Sequence, residues 1–553
     1  MATLTIDAQI LDIVKESSPS TAYLMGFDEC AGRLFVASQA NIDKILDRIG
    51  NIRRRAKSET QRKVLDSIEV GLRFDEPQPV LDDIVGAIFS HLVKEGIRED
   101  HMFSLLQHAS ESIDASFERF SDREIPVAVK VLTLYRLSGV IEILDTVKGN
   151  CESKELKAKC DSLRANVSRY VRLFELQGFG QGEFANIERL FKKSGFDLGR
   201  RKFYPQALSK GFDYLESPAQ LERAALSWLS EELPEFGKVT DRLARKFDCE
   251  RSVEGIEEKI NARMSLDPRQ LVRTTIEIRK VIQPLVTESI HGINSKYKTK
   301  VIETPPYLTG TIPTGAAQFF DTFTKKPYQV FFQTTDPKRD PDKSVSALID
   351  LLVHEEYGHC VHHSNSAVGF VVKLPILHLL AGTHAAGSVT EGLSFNREME
   401  FYEVSKSLES KVRLTSAEKK YVSLMEQYGG LKLINLELEF MTRRGRIIRF
   451  LRVLGDVWIN TGKKDLLTFL DWAHRQTGIS RSSVYFQLFP AHEGIFPGYA
   501  TTYAVVGQEI RKLQKRIKDP MKRFKFSTYL CSIGFPPRSV YVRMLRDYVA
   551  KLG

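Results

Sequence analysis

Helical periodicity, repeated over hundreds of residues, constrains this chain more than any other feature. In "ANIDKILDRIGNIRRRAKSETQRKVLDSIEVGL" the apolar residues Ile42, Ile45, Leu46 and Ile49 recur at three- and four-residue spacing. "IPVAVKVLTLYRLSGVIEILDTV" and "ERAALSWLSEELPEFGKVTDRLARKF" behave likewise. Breakers punctuate them, "DEPQP" at Asp75 and "GFGQGEF" at Gly178. No G-K-[ST] follows the glycines at Gly178 and no clear strand precedes them, so they read as a helix–helix loop and not as a phosphate loop. Residues 1–270 therefore form an N-terminal helical region. The expected fold class is mainly α.

The texture changes between Thr304 and Lys343, where Pro, Gly and Thr dominate. Inside that stretch "YQVFFQTT", Tyr328 to Thr335, is the best strand candidate, aromatic and β-branched between Pro327 and Pro337. Helical periodicity resumes in "DKSVSALIDLLVHEEYGHCVHH". A small β element thus leads into a histidine-rich helix. Residues 271–553 form the region that carries the candidate chemistry, and both regions are expected to belong to one continuous fold.

Composition narrows the class. Of 553 residues, 42% are hydrophobic and 27% charged, as in ordinary globular proteins with a large core. No apolar run approaches the roughly 18 residues that span a bilayer, and the N-terminus lacks the pattern of a secretory signal. The expectation is a cytoplasmic protein without a membrane partner. The six cysteines form no C-x-x-C pair, which argues against a thiolate zinc site or a disulfide framework. The net charge is +10, but 80 Lys and Arg are interleaved with 70 Asp and Glu. The short clusters "IRRRAK" near Arg53 and "TRRGRIIRFLR" near Arg443 read as solvated helix faces. No nucleic-acid partner is expected; a basic nucleic-acid-binding scaffold is the alternative.

"LLVHEEYGHCVHH" holds the chemistry. Zinc peptidases show H-E-x-x-H, two histidines four apart on one helix face. Here His354 and His359 are five apart. On a regular α-helix they diverge by about 140°. A π-bulge absorbs the extra residue and realigns them, and Gly358 supplies backbone adaptability just before the second histidine. Glu355 follows the first histidine, where a general base belongs. A third ligand is needed. Glu391, in "GSVTEGLSFNREMEF", is the candidate, on a helix that Ser388 or Thr390 caps. Glu398, two turns on, shares its face and suits orienting a ligand.

These motifs resemble a family of metallopeptidases known as domain of unknown function 885, related to the gluzincins. Its pattern H-E-x-x-(P)-G-H followed by E-G-[WL]-x-x-x-x-E matches His354, Glu355, Gly358, His359, Glu391, Gly392 and Glu398. "RFLRVLGDVWIN" is similar to the family's arginine helix through Arg449, Arg452 and Asp456, and "FPGYATTYAVVGQEIRKL" to its P-G-x-A-x-x-Y segment through Pro497, Gly498, Ala500 and Tyr503. "SSPSTAYLMGFDECAGRL" resembles its opening stretch. Three departures are the missing proline before Gly358, Asn460 where the family has histidine, and one residue more than usual between Tyr503 and Gly507.

The resemblance implies a cleft between helical lobes and hydrolysis of short peptides, as a carboxypeptidase or oligopeptidase. It implies one Zn2+ per chain on His354, His359 and Glu391, with Glu355 as base. Tyr503 is the implied oxyanion donor, backed by His492 and Tyr499. The strand at Tyr328–Thr335 is a candidate edge for peptide. Arg452 and Arg511 are candidates for a substrate carboxylate. The alternative within the family is an inactive metal- or peptide-binding relative.

Overall fold

The computed structural model describes residues 4–177, 179, 183–263, 266–309, 312, 314–336 and 344–552. Of the loop expected at "GFGQGEF", Gly178 and residues 180–182 lie outside the described residues, as does Pro337. The fold is mainly α with one three-stranded sheet. Among the described residues no helix is long and apolar enough to cross a membrane.

The periodic stretches form helices that bury their apolar stripe. Helix Gln39–Arg53 buries Ile42, Ile45 and Ile49, with Leu46 packed on the same cluster. Each fully buried Leu or Ile stabilises the fold by about 1.5–3 kcal/mol. Capping boxes start helices Glu59–Leu72 (Ser58 with Gln61) and Pro218–Phe247 (Ser217 with Gln220).

Two large apolar cores result. The first joins helices Pro79–Glu95 to Val253–Arg263 with Phe440–Val505 from the C-terminal half. Residue 270 therefore does not divide the chain into separately packed halves. The second core joins Leu271–Val286, Val345–Val361, Ile434, Leu438 and Val506–Leu545. Four elements meet at the seam. The histidine helix covers residues 345–367. It is α-helical over Val345–Leu352, π-helical over Val353–Cys360 and α-helical again over Val361–Ala367. The glutamate helix is His384–Ser407, the arginine helix Leu431–Thr461 and the tyrosine helix Thr502–Arg516.

The strands are β1 (Thr299–Glu303), β2 (Gly315–Phe320) and β3 (Tyr328–Gln333), in the order β1-β3-β2. β1 runs parallel to β3 and β2 antiparallel. The expected strand exists, but it is central, with both sides already hydrogen-bonded. It cannot accept a peptide as an added strand. The free edge beside the histidine helix belongs to β2.

Glycine sets how closely the helices approach. A Cβ on Gly358 would lie 2.7 Å from Ser394 Cα on the glutamate helix. Its φ is not positive, so the residue serves close packing and not an unusual dihedral. Gly392 and Gly507 do the same where the glutamate and tyrosine helices cross: a Cβ on Gly392 would lie 2.8 Å from Gly507 N.

Two expectations are corrected. The glutamate helix is capped by Thr383, whose side chain accepts from Ala386 N at 3.3 Å. Ser388 and Thr390 lie inside the helix and donate to Ala385 O and Ala386 O, at 3.1 and 3.0 Å. The cluster near Arg443 is not a solvated face. Arg443 and Arg446 reach Glu232, Arg444 reaches Glu257 and Arg449 reaches Glu398. These arginines add ion pairs to the apolar contact between the arginine helix and helices Pro218–Phe247, Val253–Arg263 and His384–Ser407, where charges shielded from water need partners.

Gly358→Ala should destabilise the protein by about 1–3 kcal/mol, the usual cost of overpacking a tight contact. Chemical denaturation checks this; an unchanged midpoint would mean the helices are not held this closely.

Candidate metal centre

The π segment turns His354 and His359 to the same side, as the five-residue spacing predicts. Their Nε2 atoms are 3.2 Å apart. Glu391 Oε2, from the glutamate helix, lies 3.6 Å from His354 Nε2 and 3.5 Å from His359 Nε2. A tetrahedral ion with bonds of about 2.0–2.1 Å holds its nitrogen and oxygen ligands about 3.3 Å apart. The triangle of 3.2, 3.5 and 3.6 Å fits one face of that tetrahedron.

The surroundings aim all three atoms inward. His354 Nδ1 donates to Glu398 Oε1 at 2.6 Å, and Arg449 Nη2 donates to the same oxygen at 2.6 Å. The Ser394 hydroxyl donates to Thr390 O at 3.2 Å and so accepts from His359 Nδ1 at 3.1 Å. With both Nδ1 atoms engaged as donors, both Nε2 lone pairs are left for a cation. Tyr499 Oη donates to Glu391 Oε1 at 2.9 Å, while the buried Oε2 has no hydrogen-bond partner. A buried carboxylate oxygen of that kind is costly unless something positive meets it.

Electrostatics point the same way. Burial alone disfavours charge on His354, but Glu391 and Glu398 outweigh it and hold its pKa up to about 10. Burial raises the Glu391 carboxyl, yet the pull of His359 and then His354 leaves it well below the usual range. Burial pushes Glu355 up, against the two histidines. The pocket has three carboxylates, Glu355, Glu391 and Glu398, and favours positive charge between the imidazoles.

Ligand-type atoms of His354, Glu355 and His359 also lie within 4.8 Å of one another. Glu391 is the better third ligand, because its Oε2 is unengaged while Glu355 Oε2 accepts from Ala317 N of β2 at 2.8 Å. Both imidazoles are nearly buried: His354 and His359 are 7% and 6% exposed.

The structure brings the other candidates together unevenly. Tyr503 stacks near His354, ring centroids 6.3 Å apart, and its Oη lies 3.4 Å from His492 Nε2. Tyr499 and Tyr503 are 6.2 Å apart, centroid to centroid. Burial, then the Glu391 charge, raises both phenols, so they stay protonated donors. Burial and then Arg452 hold His492 neutral. Arg452 sits 5.0 Å from the Tyr503 ring centre, donates from Nε to Gln487 O at 2.9 Å, and has its pKa lowered by burial to about 10. Arg511 is not part of this group. It pairs with Glu403, twelve residues or about 18 Å beyond Glu391 along the helix.

Behind the tyrosines lies a buried polar network. Asp456 accepts from Gly498 N at 3.0 Å and from Tyr204 Oη at 2.7 Å, fixing the turn that launches Tyr499. Asn460 donates to Asp456 Oδ1 at 3.0 Å and Glu493 Oε2 at 2.9 Å, and Arg200 Nη1 donates to Glu493 Oε2 at 2.9 Å. Asn460 thus serves this network and not the histidine–glutamate triangle.

Sequence reasoning missed Ser394, the Ala317 N–H and the role of Arg449. Ser394 had a signal: three residues after Glu391 and four before Glu398, it shares their helix face.

No family model matches the sequence, and no curated protein matches it significantly. The fold is shared with solved structures. A candidate lipoprotein from Colwellia psychrerythraea superposes with TM-score 0.65 at 14% identity, covering 99% of both chains. A candidate lipoprotein of unknown function from Shewanella oneidensis gives 0.65 at 14%, over 98% of this chain and 99% of that one. At such identity the likeness concerns the fold alone. A candidate oligoendopeptidase F from Bacillus anthracis str. Ames covers 96% of this chain and 97% of its own at 11% identity, but a TM-score of 0.36 carries no weight.

The buried pair gives a pH prediction. Burial, then Asp456, raises Glu493 well above the carboxylate range, and burial raises Asp456. Raised groups stabilise the fold fully below their unfolded values, about 4. That contribution is lost as pH rises through the higher folded values. Stability should therefore fall from mildly acidic to mildly basic pH, and Glu493→Gln should flatten the slope. Urea unfolding across that range checks it; an unchanged slope in the variant would refute the assignment.

Proposed function

We propose that this protein is a single-metal peptidase that hydrolyses short peptides, of the kind its sequence resembles. The observation that carries the reading is the triangle of His354 Nε2, His359 Nε2 and Glu391 Oε2, with an unengaged carboxylate oxygen and Glu355 beside it. The donor set of two imidazoles and one carboxylate suits zinc, and manganese or cobalt as well. A divalent ion held there supplies Lewis acidity, polarising a peptide carbonyl and easing deprotonation of water.

The chain's own groups do the rest. Glu355, neighbour of a ligand and itself not needed as one, takes the proton of the attacking water and returns it to the leaving amine. Its bond to Ala317 N keeps it at the free edge of β2. Beyond Ala317 N, which Glu355 engages, that edge is open to an extended peptide. The Tyr503 hydroxyl, with Tyr499 and neutral His492 behind it, donates to the oxygen that gains charge. Arg449 and Glu398 hold His354 in place.

The basic clusters give little support to a nucleic-acid scaffold, since the arginines near Arg443 are ion-paired within the protein. A relative that binds metal without turnover remains the competing reading, and two variants separate them.

Glu355→Gln should keep one metal per chain while peptide hydrolysis falls at least roughly 100-fold. Glu391→Ala should lose metal and, with it, part of the thermal stability that binding adds. Metal analysis, a peptide-cleavage assay and calorimetry read these outcomes. Full metal in Glu391→Ala would move the third ligand elsewhere, and metal with no hydrolysis in the wild type would leave a binding protein.

Tyr503→Phe should keep fold and metal and lower turnover roughly 100-fold, the scale of one lost oxyanion donor. Unchanged turnover would remove Tyr503 from the mechanism.

A further inference from the structure

A recess of about 200 Å3 lies against β2, on the face turned away from the histidine helix. The two faces are told apart by their contacts. Phe319 stacks on His363 of the histidine helix, ring centroids 4.5 Å apart. Side chains alternate along a strand, so Gln318 points to the other face. There Phe332 of β3 meets Phe89 of helix Pro79–Glu95, at 5.4 Å. The recess is walled by Gln318, by Asp83, Gly86 and Ser90 of that helix, and by Ser20 and Thr21. The last two belong to the "SSPSTAY" stretch, which has no part in the metal centre.

The charge in this recess is unbalanced. Asp82 is paired with Arg136, Nε to Oδ1 at 3.0 Å. Asp83 has no ion-pair or hydrogen-bond partner among the described residues. Asp83 is exposed to solvent where it lines the recess, and desolvation by the surrounding protein, then the Asp82 charge, raises its pKa to about 7. Ser20, whose hydroxyl oxygen is buried without a hydrogen-bond partner, stands in the same wall. The space suits one side chain or one chain end, not a whole ligand.

Its position links it to the metal centre. Ala317 N, one residue before Gln318, donates to Glu355. A peptide lying along the free edge of β2 sends alternate side chains to opposite faces. Residues facing the histidine helix meet the metal centre, and the residue opposite Gln318 meets the recess.

We propose that this recess takes a cationic group of a peptide substrate, a lysine or arginine side chain or the α-ammonium, with Asp83 as its counter-charge. The inference rests on the peptidase reading above and adds substrate selectivity to it.

The test uses peptides that carry lysine or norleucine at each position in turn, each with a free and an acetylated N-terminus. They are given to the metal-loaded wild type, Asp83→Asn and Gln318→Lys, with melting temperature and metal content recorded for each protein. In the wild type kcat/KM should favour the cation at one position by about 10- to 100-fold, the worth of a hydrogen bond to a charged group. Both variants should abolish that ratio. A preference that survives acetylation assigns the recess to a side chain, and one lost on acetylation assigns it to the α-ammonium. Cleavage without any cation preference, or a preference kept by folded, metal-replete Asp83→Asn, would overturn the proposal. If the wild type cleaves none of the peptides, the peptidase reading itself fails, and anisotropy with the same peptides, fluorescently labelled, then tests the recess alone. Tighter binding of the lysine form, lost in Asp83→Asn, supports the recess; equal binding of both forms overturns it.

Discussion

Close approach between the histidine and glutamate helices underlies everything built at this seam. Gly358 has no Cβ, so Ser394 of the glutamate helix can press against the π turn. Only at that separation does Ser394 reach His359 Nδ1 and Glu398 reach His354 Nδ1. The π turn and the glycine are complementary. The first brings two imidazoles to one side, and the second admits the helix that carries Glu391 and its supporting carboxylate. The Gly392–Gly507 crossing repeats the device one layer on and delivers Tyr499 and Tyr503 to Glu391.

Charge follows from this packing. Burying three carboxylates near one point is unfavourable without compensating positive charge. Arg449 answers Glu398, and the site between the imidazoles and Glu391 is left to a proton or a cation. The arginine helix supplies much of the neutralisation in the protein interior, through Arg443, Arg446 and Arg449. The same helix holds Asp456, which fixes Gly498 and thus the start of the tyrosine segment. A single 31-residue helix therefore positions His354 from behind and two hydroxyls from the side.

Local pattern made much of this legible. Apolar spacing marks the helices because each buries one stripe, and Ile42, Ile45 and Ile49 do so. The five-residue gap between His354 and His359 demanded a π turn, since no other helical geometry joins them. Glu391 and Glu398 share a face by simple periodicity. What was hidden depends on contacts far apart in sequence. β2 opens with Gly315, Ala316 and Ala317, residues with little strand preference, and becomes an edge only by pairing with β3. The Ala317–Glu355 bond spans 38 positions. The arginines near Arg443 look solvent-facing until Glu232 and Glu257, about two hundred residues earlier, are folded against them. Thr383, and not Ser388, is the cap because the helix already begins at His384, where Thr383 is extended and its hydroxyl meets Ala386 N.

The central claim is that two imidazoles and one carboxylate converge on one ion. The zinc K-edge absorption spectrum of the protein, loaded with one equivalent of zinc and freed of excess, tests it most directly. The account predicts one retained ion per chain with two imidazole nitrogens and oxygen ligands at about 2.0–2.1 Å. A shell of six oxygens without imidazole scattering, or no ion retained, would contradict it.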